Sequence, residues 1–337
     1  MVRGCKIPSL VVGFNTPVKS DETAMKMLIL NGKKAGLAEI RQSVYQLRSQ
    51  GHDLLVRCTW EQGDVARFVD EAINLNVTRI IAGGGDGTVN ELADSLATLS
   101  KRIDTSNSQS DRLPEMAILP LGTANDFATA CGIPNQIGSA LELAVNGTAL
   151  SIDLGIANDR FFINVASAGF GAQITVETPV ELKNLLGGQA YFISGLLQAM
   201  KFTPYEGKVT AKGADGNMLS LQGAGLMGAI CNGRMAGGGQ QLAPHAHLND
   251  GLLDVILLEH FPPTALKQVV DELLDPTLDG EYVQRFQATE VEIQSRQPLP
   301  VNLDGEPTSG INHKFGILPA AVKLVLPDDT PILMTSV

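Results

Sequence analysis

Short apolar runs and amphipathic stretches alternate along the first 150 residues in a regular order. An apolar run from Met27 to Leu30 is followed by a helical pattern over 35–50, a run over 54–58 and a helical pattern over 64–74. A run over 79–82, a helical pattern over 88–99, a run over 116–119 and a helical pattern over 136–146 complete the series. Strands alternating with helices predict a parallel, doubly wound α/β sheet. Ligands on such sheets sit at the carboxyl ends of the strands. Residues 101–112 read K-R-I-D-T-S-N-S-Q-S-D-R, which predicts an exposed loop.

After residue 150 the period changes. Apolar runs over 161–165, 208–211, 226–231, 252–258, 291–293 and 301–303, separated by turn residues, predict a β-sandwich. Helical patterns over 189–201 and 263–274 interrupt it. At 337 residues the chain exceeds what one core usually holds. The expected organisation is an N-terminal extension over 1–25, an α/β nucleotide-binding domain over 26–149, a β-sandwich domain over 150–320 and a C-terminal segment over 321–337. The apolar run in that last segment, 321–326, suits either domain. Met25 or Met27 serves equally as a natural start.

Composition narrows the partners. With 44% apolar and 18% charged residues the chain is an ordinary globular one. It has no apolar run of about eighteen residues, the length a membrane-spanning helix requires. The apolar stretch over 6–14 is short and contains Pro8, so no signal peptide is expected. A net charge of −11 argues against nucleic acid and against strong docking on anionic lipid. Four cysteines, Cys5, Cys58, Cys131 and Cys231, form no C-x-x-C and suit a reducing cytoplasm, either buried or inert. Nothing in these patterns specifies an oligomeric state.

Residues 80–91 read I-I-A-G-G-G-D-G-T-V-N-E. Glycine tolerates positive φ and lets backbone N–H groups approach a phosphate closely, and a helix starting near Thr88 would add its positive end. No G-K-[ST] follows, and G-x-G-x-x-G fails at Thr88, so neither a Walker-A site nor a standard dinucleotide fold is indicated. A tight strand-to-helix turn is the structural alternative. Asp86, among amides that would face phosphates, suits a divalent cation. Gly122 and Thr123 follow the 116–119 run and would supply further amides and a hydroxyl, with Asn125 and Asp126 placed to cap a helix. Thr59 to Gln62 matches a capping box and lies at the same edge.

The second half offers two constellations. His245 and His247 form an H-x-H pair, yet Asp250 with backbone carbonyls and Gly251 better suits a hard cation such as Mg²⁺ or Ca²⁺. Asn302-Leu-Asp-Gly-Glu-Pro307 carries Asp304 and Glu306, either solvated turn carboxylates or a general base for phosphoryl transfer.

Gly83-Gly-Gly-Asp-Gly-Thr-Val-Asn-Glu91, Leu119-Pro-Leu-Gly-Thr-Ala-Asn-Asp-Phe-Ala128, Asn249-Asp-Gly-Leu-Leu253 and Leu303-Asp-Gly-Glu306 together resemble the diacylglycerol kinase catalytic-domain superfamily, and most closely its bacterial YegS-type lipid kinases. The first motif is shared in part with NAD kinases and phosphofructokinases. The resemblance implies ATP in the cleft between an α/β domain and a β-sandwich. Thr59, Gly83, Gly84, Gly85, Asp86, Gly87, Thr88, Val89, Asn90, Glu91 and Thr123 would contact the nucleotide, with Mg²⁺ bridging its phosphates. It further implies Glu306 as the base, with Asp304 second. A structural cation would be held by Asp250 and the carbonyls of His247 and Leu252. That carbonyl position is often apolar in such kinases, and here it is a histidine. The acceptor would be a glycerolipid or phospholipid hydroxyl, met in the cytoplasm or peripherally at a membrane; the stripe over 191–200 would offer an apolar face there, although core packing is the commoner fate of such a stripe. The alternatives are an NAD kinase, or a nucleotide- or lipid-sensing module without turnover.

Overall fold

The computed structural model of the protein describes residues 24–104, 113–170, 172, 202–275, 277–278 and 280–334. The extension over 1–23, residues 105–112 of the expected loop, and the helical pattern over 189–201 with its apolar stripe over 191–200 lie outside the described residues, whereas residues 101–104 of that loop are helical instead.

The N-terminal unit is β1 (Lys26–Asn31), α1 (Ala38–Ser49), β2 (Leu54–Thr59), α2 (Asp64–Asn74), β3 (Arg79–Gly84), α3 (Asp86–Asp104), β4 (Glu115–Pro120), α4 (Asp126–Ala130) and α5 (Ile137–Asn146). Its strands run parallel in the order β4-β3-β1-β2. Residues along β1 alternate between faces. Met27 and Ile29 pack under α2 and α3, whereas Leu28 and Leu30 pack under α1 and α5. Burial on both faces explains the unbroken apolar runs. In α2 the buried residues Val65, Phe68, Val69 and Ala72 follow the i, i+3, i+4, i+7 stripe of an amphipathic helix. Each fully buried Leu, Ile or Phe in these layers contributes about 1.5–3 kcal/mol.

The second unit is antiparallel: β5 (Thr148–Ala157), β6 (Arg160–Phe162), β7 (Val165–Gly169), β8 (Tyr205–Lys212), β9 (Met218–Cys231), β10 (Met235–Ala236), β11 (Gln240–Gln241), β12 (Leu253–Glu259), α6 (Leu266–Leu274), β13 (Val283–Ala288), β14 (Glu290–Leu303) and β15 (Glu306–Leu326). The 291–293 and 301–303 runs belong to one strand, β14, whose register shifts between Gln294 and Leu299. β7 and β8 lie end to end in one slot, each paired with β9 on one side and β14 on the other. Ala166, Ile230, Val255, Val301, Leu303 and Phe315 belong to the apolar core of this unit.

The long strand β15 pairs with β14, then with β5, and at Leu324 lies parallel to β4 beside Met116. It thereby joins the two sheets into one. The units are also tied through α3: Asn90 Oδ1 accepts the Ile163 N–H at 3.3 Å and Asp94 Oδ1 that of Phe161 at 2.9 Å. Cys131 and Cys231 are buried, and burial pushes both thiols up, whereas Cys58 is exposed.

Candidate active site

Gly83 and Gly84 are the last residues of β3, and α3 begins at Asp86, two residues earlier than the periodicity predicts. None of Gly83, Gly84, Gly85 and Gly87 has positive φ. Close approach, rather than left-handed backbone, explains three of them. A Cβ on Gly83 would meet Leu30 Cδ2 at 2.7 Å, one on Gly84 Thr88 Oγ1 at 2.2 Å, and one on Gly85 the Gly122 Cα at 3.0 Å. The reciprocal contact is tighter: a Cβ on Gly122 would lie 2.6 Å from Gly85 Cα. The two motif loops, after β3 and after β4, therefore press backbone against backbone. Leu121 N–H donating to the Gly84 carbonyl at 2.8 Å fastens them.

Asp86 does not face outward as a lone carboxylate. It accepts the N–H groups of Asp126 at 3.2 Å and Phe127 at 3.1 Å, satisfying the first amides of α4 from outside that helix. The expected capping by Asn125 and Asp126 is replaced accordingly. Asn125 has φ 52° and exchanges hydrogen bonds with Gly122, its Oδ1 accepting the Gly122 N–H at 2.8 Å. Asp126 is buried and reaches across to the second unit, accepting the N–H groups of Gly238 at 2.8 Å and Gly239 at 2.7 Å. Here positive φ matters: Gly237, Gly238 and Gly239 have φ of 69°, 89° and 97°, which turns successive amides onto the carboxylate. The Met-Ala-Gly-Gly-Gly run was visible in the sequence, but its partner was not.

The capping box at Thr59 is not formed either. α2 starts at Asp64, after Gly63 at φ 88°. Thr59 Oγ1 instead accepts the Gly32 N–H at 3.3 Å, which links the loops after β1 and β2. Asp64 holds the intervening turn by accepting the N–H groups of Trp60 and Glu61. Thr123 is exposed beside Gly122.

Opposite α3, the β14–β15 hairpin carries the two carboxylates at its turn. Asp304 has φ 48°, and its carboxylate accepts three backbone N–H groups: Ile163 at 2.7 Å, Asn164 at 3.0 Å and Val165 at 2.7 Å. Burial pushes it up to about 6 against the pull of those amides, and the charge of Asp86 adds to the rise. Glu306 is exposed. Desolvation raises the Glu91 carboxyl, and the nearby charge of Glu306 adds to the rise.

The Asp250 turn lies on the same unit. Asp250 Oδ1 accepts the Leu252 N–H at 2.9 Å, and burial raises its pKa, partly opposed by His247. Gly251 has φ 72°, and its N–H donates to Asp153 Oδ2 at 2.8 Å. Asp153 Oδ1 accepts the Ala320 N–H at 2.8 Å, tying the turn to β15. Ile332 and Met334 pair with Leu248 and Asn249 from the other side. Among the described residues no three His, Cys, Asp or Glu side chains gather as a metal centre, so His245 and His247 complete no transition-metal site there. Asp250 supplies one partly buried carboxylate, an oxygen donor of the kind a hard cation takes.

The diacylglycerol kinase catalytic domain matches residues 26–157, and the YegS C-terminal NAD kinase beta sandwich-like domain matches residues 164–326. A probable lipid kinase YegS-like of Shewanella frigidimarina is 48% identical over 310 residues, covering 92% of this chain and 96% of that one. A protein of the same description from Yersinia enterocolitica is 45% identical, covering 91% and 98%. The solved structure of a diacylglycerol kinase from Bacillus anthracis shares the fold with a TM-score of 0.67 at 21% identity, covering 92% of this chain and 99% of that one.

Proposed function

Because this chain belongs to the YegS-like lipid kinase family, with a diacylglycerol kinase catalytic domain followed by the YegS sandwich domain, we propose that it transfers the γ-phosphate of ATP to a hydroxyl of a glycerolipid or phospholipid. The observation that carries this reading is the Ile163 N–H, which donates both to Asn90 Oδ1 of the glycine motif at 3.3 Å and to Asp304 Oδ2 of the hairpin that carries Glu306 at 2.7 Å, and so holds the two motifs together. The nucleotide would lie along the carboxyl edge of the N-terminal sheet, over Gly83, Gly84, Gly85 and the amides of Gly87, Thr88 and Val89, with Thr59 and Thr123 flanking it. When bound, Mg²⁺ neutralises charge on the phosphates. Glu306 takes the proton from the acceptor hydroxyl as its oxygen attacks the γ-phosphate, and the leaving ADP carries the electrons of the broken bond.

Asp304 takes a different part from the one its neighbour plays. With three amides already on its carboxylate it has little capacity left for a substrate proton, and it fixes the hairpin that presents Glu306. Asp86 likewise holds α4 against the glycine loop. Asp250, with the carbonyls of His247 and Leu252, would hold a structural Mg²⁺ or Ca²⁺ outside the reacting centre. A lipid acceptor is further supported by an apolar cavity of about 140 Å³ where β7 ends and β8 begins, bordered by Tyr205, Leu226, Met227 and Leu299. Its lining begins at Ala168, three residues along β7 from Val165, whose N–H donates to Asp304. Among the described residues no helix is long and apolar enough to cross a membrane. The reading takes the enzyme as cytoplasmic, meeting its lipid peripherally.

The test is transfer of labelled γ-phosphate from ATP to diacylglycerol, phosphatidylglycerol and a sphingoid base in mixed micelles with Mg²⁺, beside NAD as a soluble acceptor. A labelled lipid is expected. Label on NAD would reassign the chain to NAD phosphorylation, and ATP binding without any product would favour a sensing module.

A further inference from the structure

Trp60 is the only tryptophan of the chain, and it is 93% exposed. An indole usually buries much of its large apolar surface, so one left almost wholly in water at a ligand-binding edge invites a partner. Its backbone is held firmly. Asp64 Oδ2 accepts the Trp60 N–H at 2.6 Å and the Glu61 N–H at 3.1 Å, directly ahead of α2. On the other side, Thr59 is the last residue of β2, paired with Asn31 of β1. The indole is therefore projected from a fixed point on the carboxyl edge of the sheet.

That point stands at a useful distance from the glycine loop. β1 lies between β2 and β3, with Leu30 paired to Cys58 on one side and to Gly83 on the other. Two strand spacings, about 10 Å in all, thus separate the end of β2 from the end of β3. This is the reach of a nucleotide from its phosphates to its base. The ground between is nearly bare: at Gly32 a Cβ would meet the Thr59 carbonyl oxygen at 2.2 Å, so no side chain can stand there. Lys33 and Lys34 follow, giving cations beside that path in a chain of net charge −11.

We infer that Trp60 is the platform on which the nucleobase of ATP stacks. This rests on the nucleotide lying along the edge as described above. An indole face stacks on any base, so the contact contributes affinity more than discrimination among bases. Trp60 is a nucleotide-binding residue in this scheme and takes no part in proton transfer.

Having one tryptophan makes the test direct. Titration of the full-length protein with Mg·ADP should quench or shift the tryptophan emission, with a midpoint matching the Kd from calorimetry. Trp60→Ala should raise the KM for ATP about tenfold or more while changing kcat less than about twofold, and Trp60→Phe should restore most of the loss. An exposed side chain leaves little folding risk in either variant. ADP binding by calorimetry with unchanged emission and an unchanged KM in Trp60→Ala would overturn the inference. So would an emission shift on phosphatidylglycerol vesicles but none on nucleotide, which would make Trp60 an interfacial anchor. If calorimetry found no nucleotide binding at all, the functional reading itself would fall, and this inference with it.

Discussion

Gly122→Ala perturbs the contact on which the two motif loops depend. The added Cβ would stand 2.6 Å from Gly85 Cα and 2.7 Å from Asn125 Oδ1. Carbon atoms rest at about 3.5–4.0 Å, so the loops must part by roughly 1 Å or Asn125 must swing away. Overpacking of this kind costs about 1–3 kcal/mol, and losing the Asn125 hydrogen bonds adds about 0.5–1.5 kcal/mol each. The total of about 2–6 kcal/mol, at about 2–4 °C per kcal/mol, should lower the melting temperature by roughly 4–24 °C. Displacement of the glycine loop by about 1 Å should also cost on the order of 100-fold in turnover. Gly87→Ala is the control for stability. A Cβ there meets nothing within 4 Å and the residue is helical, so it should melt no lower than wild type and gain up to about 1 kcal/mol. The assay is thermal unfolding of both variants beside lipid phosphorylation by Gly122→Ala. If Gly122→Ala melts and turns over like wild type, the backbone contact is not the reason for glycine at that position.

Asp126→Ala removes the acceptor for the Gly238 and Gly239 amides. It should cost about 1–3 kcal/mol, and hydrogen exchange at those two glycines should accelerate while β1 stays protected. Asp64 is pulled down to about 2, first by the Trp60 amide and then by Arg67. Its folded pKa lies below the ordinary value, so its contribution is present above about pH 4 and is lost as pH falls through 2. The gap in melting temperature between wild type and Asp64→Ala should therefore be largest at neutral pH and close toward pH 2. A gap that does not vary with pH would contradict the role of that charge.

The strand and helix order of the first unit was legible because burial on both faces leaves continuous apolar runs, as in β1 and β3, and a clear stripe, as in α2. Local capping was not. Thr59, Asn125 and Asp126 have capping side chains at capping positions, yet Asp86, 40 residues earlier than Asp126, takes the α4 amides. Sequence spacing carries no record of a partner that distant. Of the two glycine properties expected at the motif, positive φ is used nowhere, and close approach at Gly83, Gly84 and Gly85 is to the protein's own atoms. In the sandwich, β14 read as two strands because its register shifts between Gln294 and Leu299. Spacing alone made Glu306 and Asp304 equivalent turn carboxylates; the resemblance ranked Glu306 first, and the three amides converging on Asp304 favour that order.

The most direct test of the central claim compares wild type with Glu306→Gln in phosphate transfer from ATP to the lipid acceptor, with ATP affinity measured in parallel. Glu306 is exposed at a hairpin turn, and the isosteric change should leave the fold and ATP binding unaltered. Losing a general base should lower kcat by about 10²–10⁴-fold. Turnover within a fewfold of wild type would contradict the assignment of Glu306 as the base and the cleft between α3 and the β14–β15 hairpin as the place of reaction.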